Sequence, residues 1–212
     1  MKVVYVFSGL GADKRVFKNI SFQNHQTIFV DWISPKKNES IEVYAKRLSM
    51  QIKTPKPILI GLSFGGIMAI EIAKHIEPEK IILISSAKNK NEIPFLYRLA
   101  GKINLHKIIP SFLLKRAHRI TYCHFGSKTT EEKILLKNIL AETDSVFLKW
   151  AIDQIVKWKN VGVTKNLSHV HGDNDKILPS ALVKADKVIK HGGHLMVLNH
   201  AKEVSDFILQ AL

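Results

Sequence analysis

Residues 58–71 read ILIGLSFGGIMAIE, and this stretch decides the fold of the chain. Its first three aliphatic residues predict a short buried strand, and the residues after Gly66 carry a helical pattern. Between them, Gly61-x-Ser63-x-Gly65 fits a sharp strand-to-helix turn that aims a serine hydroxyl outward. Gly61 and Gly65 are small because side chains two positions either side of the serine would collide. The helix that follows directs the positive end of its dipole at the serine.

A bare match to this pattern also arises by chance. In that alternative, Ser63 only caps the helix that starts near Phe64 and does no chemistry. The strand before the turn and the helix after it are the context that a nucleophile elbow demands, so we favour a nucleophilic Ser63.

Apolar runs that predict strands recur along the chain, with helical patterns between them. The predicted strands cover 2–7, 27–30, 58–60, 81–84, 167–171 and 187–189. Short helices are predicted after Asp13 and Ser40, and a closing helix over 201–211. This alternation indicates an α/β fold, with a mostly parallel, roughly six-stranded sheet that is doubly wound by helices on both sides.

The alternation breaks in residues 88–160, where the pattern is helical throughout. We predict that 1–87 and 161–212 form the core and that 88–160 is an inserted helical lid. Residues 88–128 hold nine Lys or Arg against one acid, Glu92, and so carry +8 of the formal net charge of +14. One hypothesis is an apolar acyl pocket with a cationic mouth; the alternative is ordinary amphipathic helices whose apolar sides pack on the sheet. Trp150 and Trp158 are expected to anchor the insertion to the core.

Composition restricts the class of protein. The chain has 212 residues, 46% of them apolar and 24% charged, which is typical of a globular domain. Its single cysteine, Cys123, excludes an internal disulfide. The apolar run after Lys2 is too short for a signal peptide, and no run reaches transmembrane length, so we expect a cytoplasmic protein. No nucleic-acid motif accompanies the positive charge, so we expect no nucleic-acid partner.

A serine needs a base and an acid that orients the base, and two later stretches supply them. Asp175 follows the predicted strand 167–171, and His194 follows the predicted strand 187–189. Both residues are expected at the carboxyl edge of the sheet, where Ser63 also lies. The chain order Ser, Asp, His is the order expected on this architecture.

At these residues the chain resembles the α/β-hydrolase superfamily, in particular its serine esterases and thioesterases. The similarity covers most of the chain outside the insertion. The pattern G-x-x-D-x-x-x-P of that family is here Gly172, Asp175 and Pro179, and the family's glycine before the catalytic histidine is Gly193. The resemblance implies that His194 is the general base and that Asp175 orients it.

The resemblance also implies an oxyanion hole made by the backbone N–H groups of Phe64 and Leu10. The family usually shows His-Gly-x in the first loop, and this chain has Ser8-Gly9-Leu10. The missing histidine leaves the backbone donor but removes the usual brace of the loop. The chain also lacks the family's leading antiparallel strands, so a trimmed sheet is expected.

The function implied is a serine hydrolase that cleaves an ester or thioester of a small or medium acyl substrate through an acyl-enzyme, without a cofactor. The substrate is a small molecule, with an anionic one favoured if the cationic mouth exists. Two alternatives stay open: a silent binding module, or the same triad used for C–C hydrolysis or proton abstraction. The sequence does not decide the oligomeric state.

Two histidines of the predicted strand 167–171 suggest a metal site as an alternative to this interpretation. His169-x-His171-x-Asp173 resembles the start of a metal-ligand run, since alternation places both imidazoles on one strand face. The run lacks a further histidine after Asp175, and no H-E-x-x-H occurs in the chain. We therefore predict no metal.

Overall fold

The computed structural model describes residues 2–162 and 164–212, and the chain is built around a six-stranded sheet. The strand order is β2-β1-β3-β4-β5-β6, and every neighbouring pair is parallel. The strands are Val3–Phe7 (β1), Gln26–Phe29 (β2), Ile58–Leu62 (β3), Lys80–Ile84 (β4), Leu167–Gly172 (β5) and Lys187–Ile189 (β6). The predicted fold class is confirmed. The predicted second strand, 27–30, begins and ends one residue later than β2.

The helices fall between and after these strands. They are Ile41–Leu48 (α1), Phe64–Ile72 (α2), Phe95–Lys102 (α3), Ser111–Leu114 (α4), Arg119–Phe125 (α5), Thr130–Glu142 (α6), Ser145–Val156 (α7), Met196–Asn199 (α8) and Ala201–Ala211 (α9). The helix predicted after Asp13 is only a 3-10 turn, Lys14–Phe17, which Asp13 caps through the backbone N–H of Arg15. Within the described residues, no helix is long and apolar enough to cross a membrane.

Local sequence explains where the longer helices begin. The hydroxyl of Ser40 accepts from the N–H of Val43 at the start of α1. Thr129 and Glu132 form a reciprocal capping box at the start of α6. The carboxylate of Asp144 accepts from the N–H of Phe147, at 2.7 Å, where α7 begins. Each cap satisfies a backbone donor that the first turn of a helix leaves free.

Two apolar layers enclose the sheet, as double winding requires. Alternate strand residues such as Val6, Ile60 and Ile82 pack in one layer with α6 and α9. Their neighbours, such as Leu59 and Leu83, pack in the other layer with α1, α2 and α7. The central strands β1, β3 and β4 are buried on both faces, which is why they read as continuous apolar runs.

The helices α3 to α7 all lie between β4 and β5 in the chain, in the stretch expected to be helical. Both predicted tryptophan anchors hold. Trp150 donates to the carbonyl of Glu39, and Trp158 donates to the carboxylate of Glu71, each at 2.8 Å. Apolar residues of α6 and α7 lie in the two core layers, and α3 and α4 contact α7.

At the start of α2 the backbones of three elements meet directly. A Cβ added at Gly61 would lie 2.4 Å from the carbonyl oxygen of Gly65 and from the nitrogen of Gly66. A Cβ added at Gly65 would lie 2.3 Å from the carbonyl oxygen of Phe7. The packing of β3, α2 and the end of β1 thus requires glycine at both positions, as predicted from the turn.

We expect Gly61→Ala to lower the free energy of unfolding by more than about 3 kcal/mol, because backbone atoms cannot move aside for a methyl group. The matched control is Gly162→Ala, where the nearest atom to an added Cβ is 3.6 Å away and the change should stay within about 0.5 kcal/mol. Urea unfolding measures both. Equal effects of the two substitutions would contradict the packing argument.

Candidate active site

Ser63 occupies a backbone conformation that few residues adopt. Its φ is 53° and its ψ is −120°, and its N–H donates to the carbonyl of Ile84 at 2.9 Å. The side chain makes no capping bond to α2, so the alternative in which Ser63 only caps a helix is wrong. The Ser86 hydroxyl donates to the carbonyl of Ser63 at 2.7 Å and helps to hold the turn. The strained conformation leaves Oγ facing away from the helix, as a nucleophile elbow demands.

The structure brings the three predicted side chains together. The distance from Ser63 Oγ to His194 Nε2 is 2.8 Å, and the distance from His194 Nδ1 to Asp175 Oδ2 is 2.7 Å. An ionised carboxylate can only accept, so the Nδ1–H of His194 donates to Asp175. The Nε2 atom of neutral His194 is then free to accept the hydroxyl proton of Ser63. The three side chains thus form one hydrogen-bonded chain from hydroxyl through imidazole to carboxylate.

The second carboxylate oxygen of Asp175 is held by the backbone. Its Oδ1 accepts from the N–H groups of Ile177 and Leu178, both at 2.9 Å. Burial raises the pKa of the Asp175 carboxyl, but the charge of His194 and the hydrogen bonds from His194 and Leu178 outweigh burial and set that pKa below its usual value. Asp175 is therefore ionised while fully inside the protein. The neighbouring Asp173 accepts from the N–H of His191 instead.

The loop that carries His194 rests against the end of α5. A Cβ added at Gly193 would lie 2.9 Å from the Cα of Gly126, and the N–H of Leu195 donates to the carbonyl of Phe125 at 2.9 Å. The Phe125 ring meets the His194 imidazole edge to face, with ring centroids 5.9 Å apart. Sequence reasoning missed Phe125 and Gly126, because no motif relates α5 to a histidine that follows it by about seventy residues.

The first loop lies beside the nucleophile, and a tryptophan braces it. A Cβ added at Gly9 would lie 3.1 Å from the Cβ of Ser63. The indole N–H of Trp32 donates to the hydroxyl of Ser8 at 3.0 Å, and the Trp32 ring stacks on Phe64 with centroids 5.4 Å apart. This contact supplies a brace where the resemblance predicted a histidine. No residue in the described part of the chain accepts a hydrogen bond from the backbone N–H of Leu10 or Phe64.

A cavity of about 550 Å³ opens at Ser63. Its walls are mainly apolar side chains of α2, α7 and the shorter helices α3, α4 and α5, including Ile67, Leu114 and Ile155. Of the nine basic residues counted between 88 and 128, Arg116 is the only one among the described residues that lines it. The apolar pocket therefore exists, and its lining includes a single arginine rather than the whole basic cluster.

A second cavity, of about 570 Å³, lies on the other side of α7 and does not include Ser63. Its walls are more charged, with Lys149, Asp153 and Lys157 among them. His106 borders both cavities, and its Nε2 contacts Asp153 at 2.8 Å. Since only the first cavity reaches the nucleophile, that cavity is the candidate substrate pocket.

His169 and His171 lie side by side on β5, with ring centroids 5.4 Å apart. The Nε2–H of His171 donates to the carbonyl of Leu178 at 2.8 Å and lies 3.5 Å from Asp175 Oδ2. Neither ring nitrogen of His169 has a hydrogen-bond partner among the described residues. In that part of the chain no group of three or more His, Cys, Asp or Glu side chains is arranged to hold a metal ion.

Comparison with known proteins identifies the fold by structure and not by sequence. No protein-family model matches the chain, and no curated protein matches it in sequence. In structure the chain is similar to MenH from S. aureus, with a TM-score of 0.71 at 17% identity over 100% of this chain and 93% of that chain. It is also similar to the esterase EaEST from Exiguobacterium antarcticum, with a TM-score of 0.71 at 15% identity over 99% of this chain and 91% of that one. The bromoperoxidase from Bacillus anthracis gives a TM-score of 0.68 at 16% identity over 99% of this chain and 91% of that chain. The fold is that of the α/β hydrolases.

The buried state of His169 predicts a loss of stability in acid. Burial lowers the pKa of His169 to about 2, with smaller contributions from His171 and Lys88. In the unfolded chain the pKa is about 6.5, so below that pH only the unfolded state binds the proton. Stability therefore falls with acidification, and between pH 7 and pH 5 His169 alone costs about 2 kcal/mol.

We expect His169→Leu to remove that part of the pH dependence, as measured by urea unfolding at the two pH values. His75→Leu makes the same change at an exposed histidine and should leave the wild-type difference between pH 7 and pH 5 intact. If His169→Leu kept the full difference, the buried neutral imidazole would not be its source.

Proposed function

We propose that this protein is a serine hydrolase that cleaves an ester or thioester of a small or medium acyl substrate through an acyl-enzyme. The observation that carries the proposal is the chain of two short hydrogen bonds from Ser63 through His194 to Asp175. A serine hydroxyl is a weak nucleophile until a base takes its proton, and here the base is already in contact with it.

In the proposed mechanism Ser63 Oγ attacks the substrate carbonyl carbon while its proton passes to His194 Nε2. Asp175 stabilises the imidazolium that forms. His194 then gives the proton to the leaving alcohol or thiol, and the carbonyl re-forms as an acyl-enzyme. Water attacks the acyl group with the same histidine as base, which releases the acid and restores the Ser63 hydroxyl.

The negative charge that develops on the carbonyl oxygen needs donors. We propose the backbone N–H groups of Leu10 and Phe64 for this role. Two observations support them: Gly9 lies against Ser63, and neither N–H is taken up by an acceptor in the described residues. Because Phe64 is the first residue of α2, the positive end of the helix dipole also faces the proposed oxyanion position.

The apolar walls of the cavity favour an acyl group without charge along its length. Arg116 lines the cavity, and its guanidinium can donate hydrogen bonds to a carboxylate or phosphate of the substrate. The proposed cationic contribution to substrate binding is thus limited to this one residue. The solved structures that share the fold include proteins called esterase, lipase, hydrolase and bromoperoxidase, so the fold alone does not select the reaction.

We expect Ser63→Ala to lower kcat towards ester and acyl thioester substrates by about four to six powers of ten, because the nucleophile is lost while the cavity stays. A panel of such substrates measures the activity, and a fluorophosphonate probe reports the nucleophile directly. Ser34→Ala, at an exposed serine outside the cavity, is the control and should keep both activity and labelling. A wild-type protein that the probe does not label would favour the silent binding module.

Trp32→Phe tests the brace of the oxyanion loop. The ring remains, but the 3.0 Å hydrogen bond to Ser8 is lost, so we expect kcat to fall about tenfold with little change in KM. Ser8→Ala should have the same effect, and the double variant should be no worse than either single one.

Trp150→Phe is the matched control for Trp32→Phe, because it loses an indole hydrogen bond of similar length away from that loop. Its kcat should stay close to that of the wild type. Additive losses in the Trp32 and Ser8 double variant would show that the two residues act separately.

A further inference from the structure

The α3 helix exposes its apolar stripe instead of burying it. Leu96 and Leu99 lie one turn apart on α3, Ile103 directly follows the helix at the same register, and the three are 73%, 41% and 65% exposed. Gly101, on the opposite side of the helix, packs against Val156 of α7, and Ala100, at the edge of the stripe, borders the cavity. The expectation that the apolar sides of these helices pack on the sheet is therefore wrong for α3.

Exposed apolar side chains recur in the elements that follow α3 in the chain. Ile108, Phe112 and Ile120 are 75%, 68% and 63% exposed. Of the seventeen exposed large apolar side chains in the described residues, ten lie within residues 95–120. We call the exposed side chains of this segment the outer helical surface. Single exposed apolar residues are ordinary, but a concentration of this kind marks an interaction site.

The same segment is strongly basic. Residues 95–120 contain six Lys or Arg, and the sequence has no Asp or Glu between Ile93 and Thr130. The basic side chains stand among the exposed apolar ones, where their aliphatic stems can lie along apolar material while their charges stay outside it. The natural counterpart of the outer helical surface is thus both apolar and negatively charged.

We propose that the outer helical surface binds the surface of an anionic lipid bilayer. A lipid surface offers acyl chains to the exposed Leu, Ile and Phe residues and phosphate groups to the Lys and Arg residues at the same time. A nucleic acid would match the charges but would leave ten large apolar side chains in water. An acidic protein would need a matching shape, whereas a fluid lipid surface adapts to side chains that are spread over several short helices.

Some residues belong to both the outer helical surface and the lining of the cavity, so membrane binding would affect how substrate reaches Ser63. Leu113 and Ile120 are exposed on the outer helical surface and also line the cavity at Ser63. A bilayer in contact with this surface lies next to the mouth of the cavity. An amphiphilic ester could then enter without crossing water, a step that rests on the proposed function, whereas the binding itself does not.

Co-sedimentation with vesicles tests the binding. The full chain is mixed with vesicles of phosphatidylcholine alone, or with vesicles in which phosphatidylglycerol replaces part of it. We expect the protein to partition onto the anionic vesicles, less onto the neutral ones, and less as salt is raised, because exposed charges are screened. Ser63→Ala should bind like the wild type, so a failure of the catalytic proposal would leave this result unchanged.

Two triple variants separate the apolar and the basic contributions. The apolar variant changes exposed residues of the surface that do not line the cavity, Leu96→Ser, Ile108→Ser and Phe112→Ser. Its control makes equally exposed changes elsewhere, Met50→Ser, Ile134→Ser and Val146→Ser. We expect at least about a tenfold fall in the partition coefficient for the first variant, and none for the control.

The basic variant carries Lys102→Gln, Lys115→Gln and Arg119→Gln, and its control carries Lys18→Gln, Lys37→Gln and Lys190→Gln at exposed positions elsewhere. Both lower the net charge by three, so a general charge effect would show in both. At about fivefold for each basic residue near an anionic surface, we expect about a hundredfold fall in the partition coefficient for the first variant only.

Three results would overturn the proposal. The wild type could fail to sediment with anionic vesicles, both surface variants could bind as well as the wild type, or the controls could lose binding equally. Binding to an acidic soluble protein such as casein, with no binding to vesicles, would assign the surface to a protein partner and likewise reject the lipid.

Discussion

The contact of Gly65 with the carbonyl oxygens of Phe7 and Ser8 is the constraint on which the rest of the site depends. Because no side chain separates α2 from the end of β1, the loop after β1 lies directly beside Ser63. A larger residue at Gly65 would move the loop and the helix apart together. The packing thus fixes the first loop and the start of α2 relative to each other, and these two segments carry the backbone N–H groups proposed to bind the oxyanion.

The insertion between β4 and β5 supports this site as well as covering it. The end of α5 contacts the loop that carries His194, through Gly126, and the Phe125 ring meets the imidazole. The α7 helix places Phe147 against Trp32, whose indole holds Ser8. His194 and the first loop are therefore both supported by contacts with helices that lie between β4 and β5 in the chain. The positive φ of Ser63 costs about 1–3 kcal/mol of conformational free energy. Such a conformation persists only where contacts from the surrounding structure hold it in place.

Much of the fold and of the candidate site could be predicted from the sequence, for identifiable reasons. Strands buried on both faces must be apolar throughout, so runs such as Ile81–Ile84 mark β4 to within a residue. Because the carboxyl ends of parallel strands share one edge, Asp175 and His194 were expected near Ser63. Contacts between residues distant in sequence were not predictable, since nothing in the order of residues joins Trp32 to Ser8 or Gly126 to Gly193.

The periodicity of a sequence also does not predict whether the apolar side of a helix faces the core or the solvent, as α3 shows. A stripe at i, i+3 and i+7 shows that one side of a helix is apolar, but the same pattern suits a helix packed inward and a helix turned outward. In α3 the side that faces α7 carries Gly101, which allows a close approach to Val156, and Leu96 and Leu99 stay outside. An outward apolar face alone would favour self-association. The basic residues between its apolar ones make two copies repel each other, so the charge that attracts an anionic surface also opposes pairing of like chains.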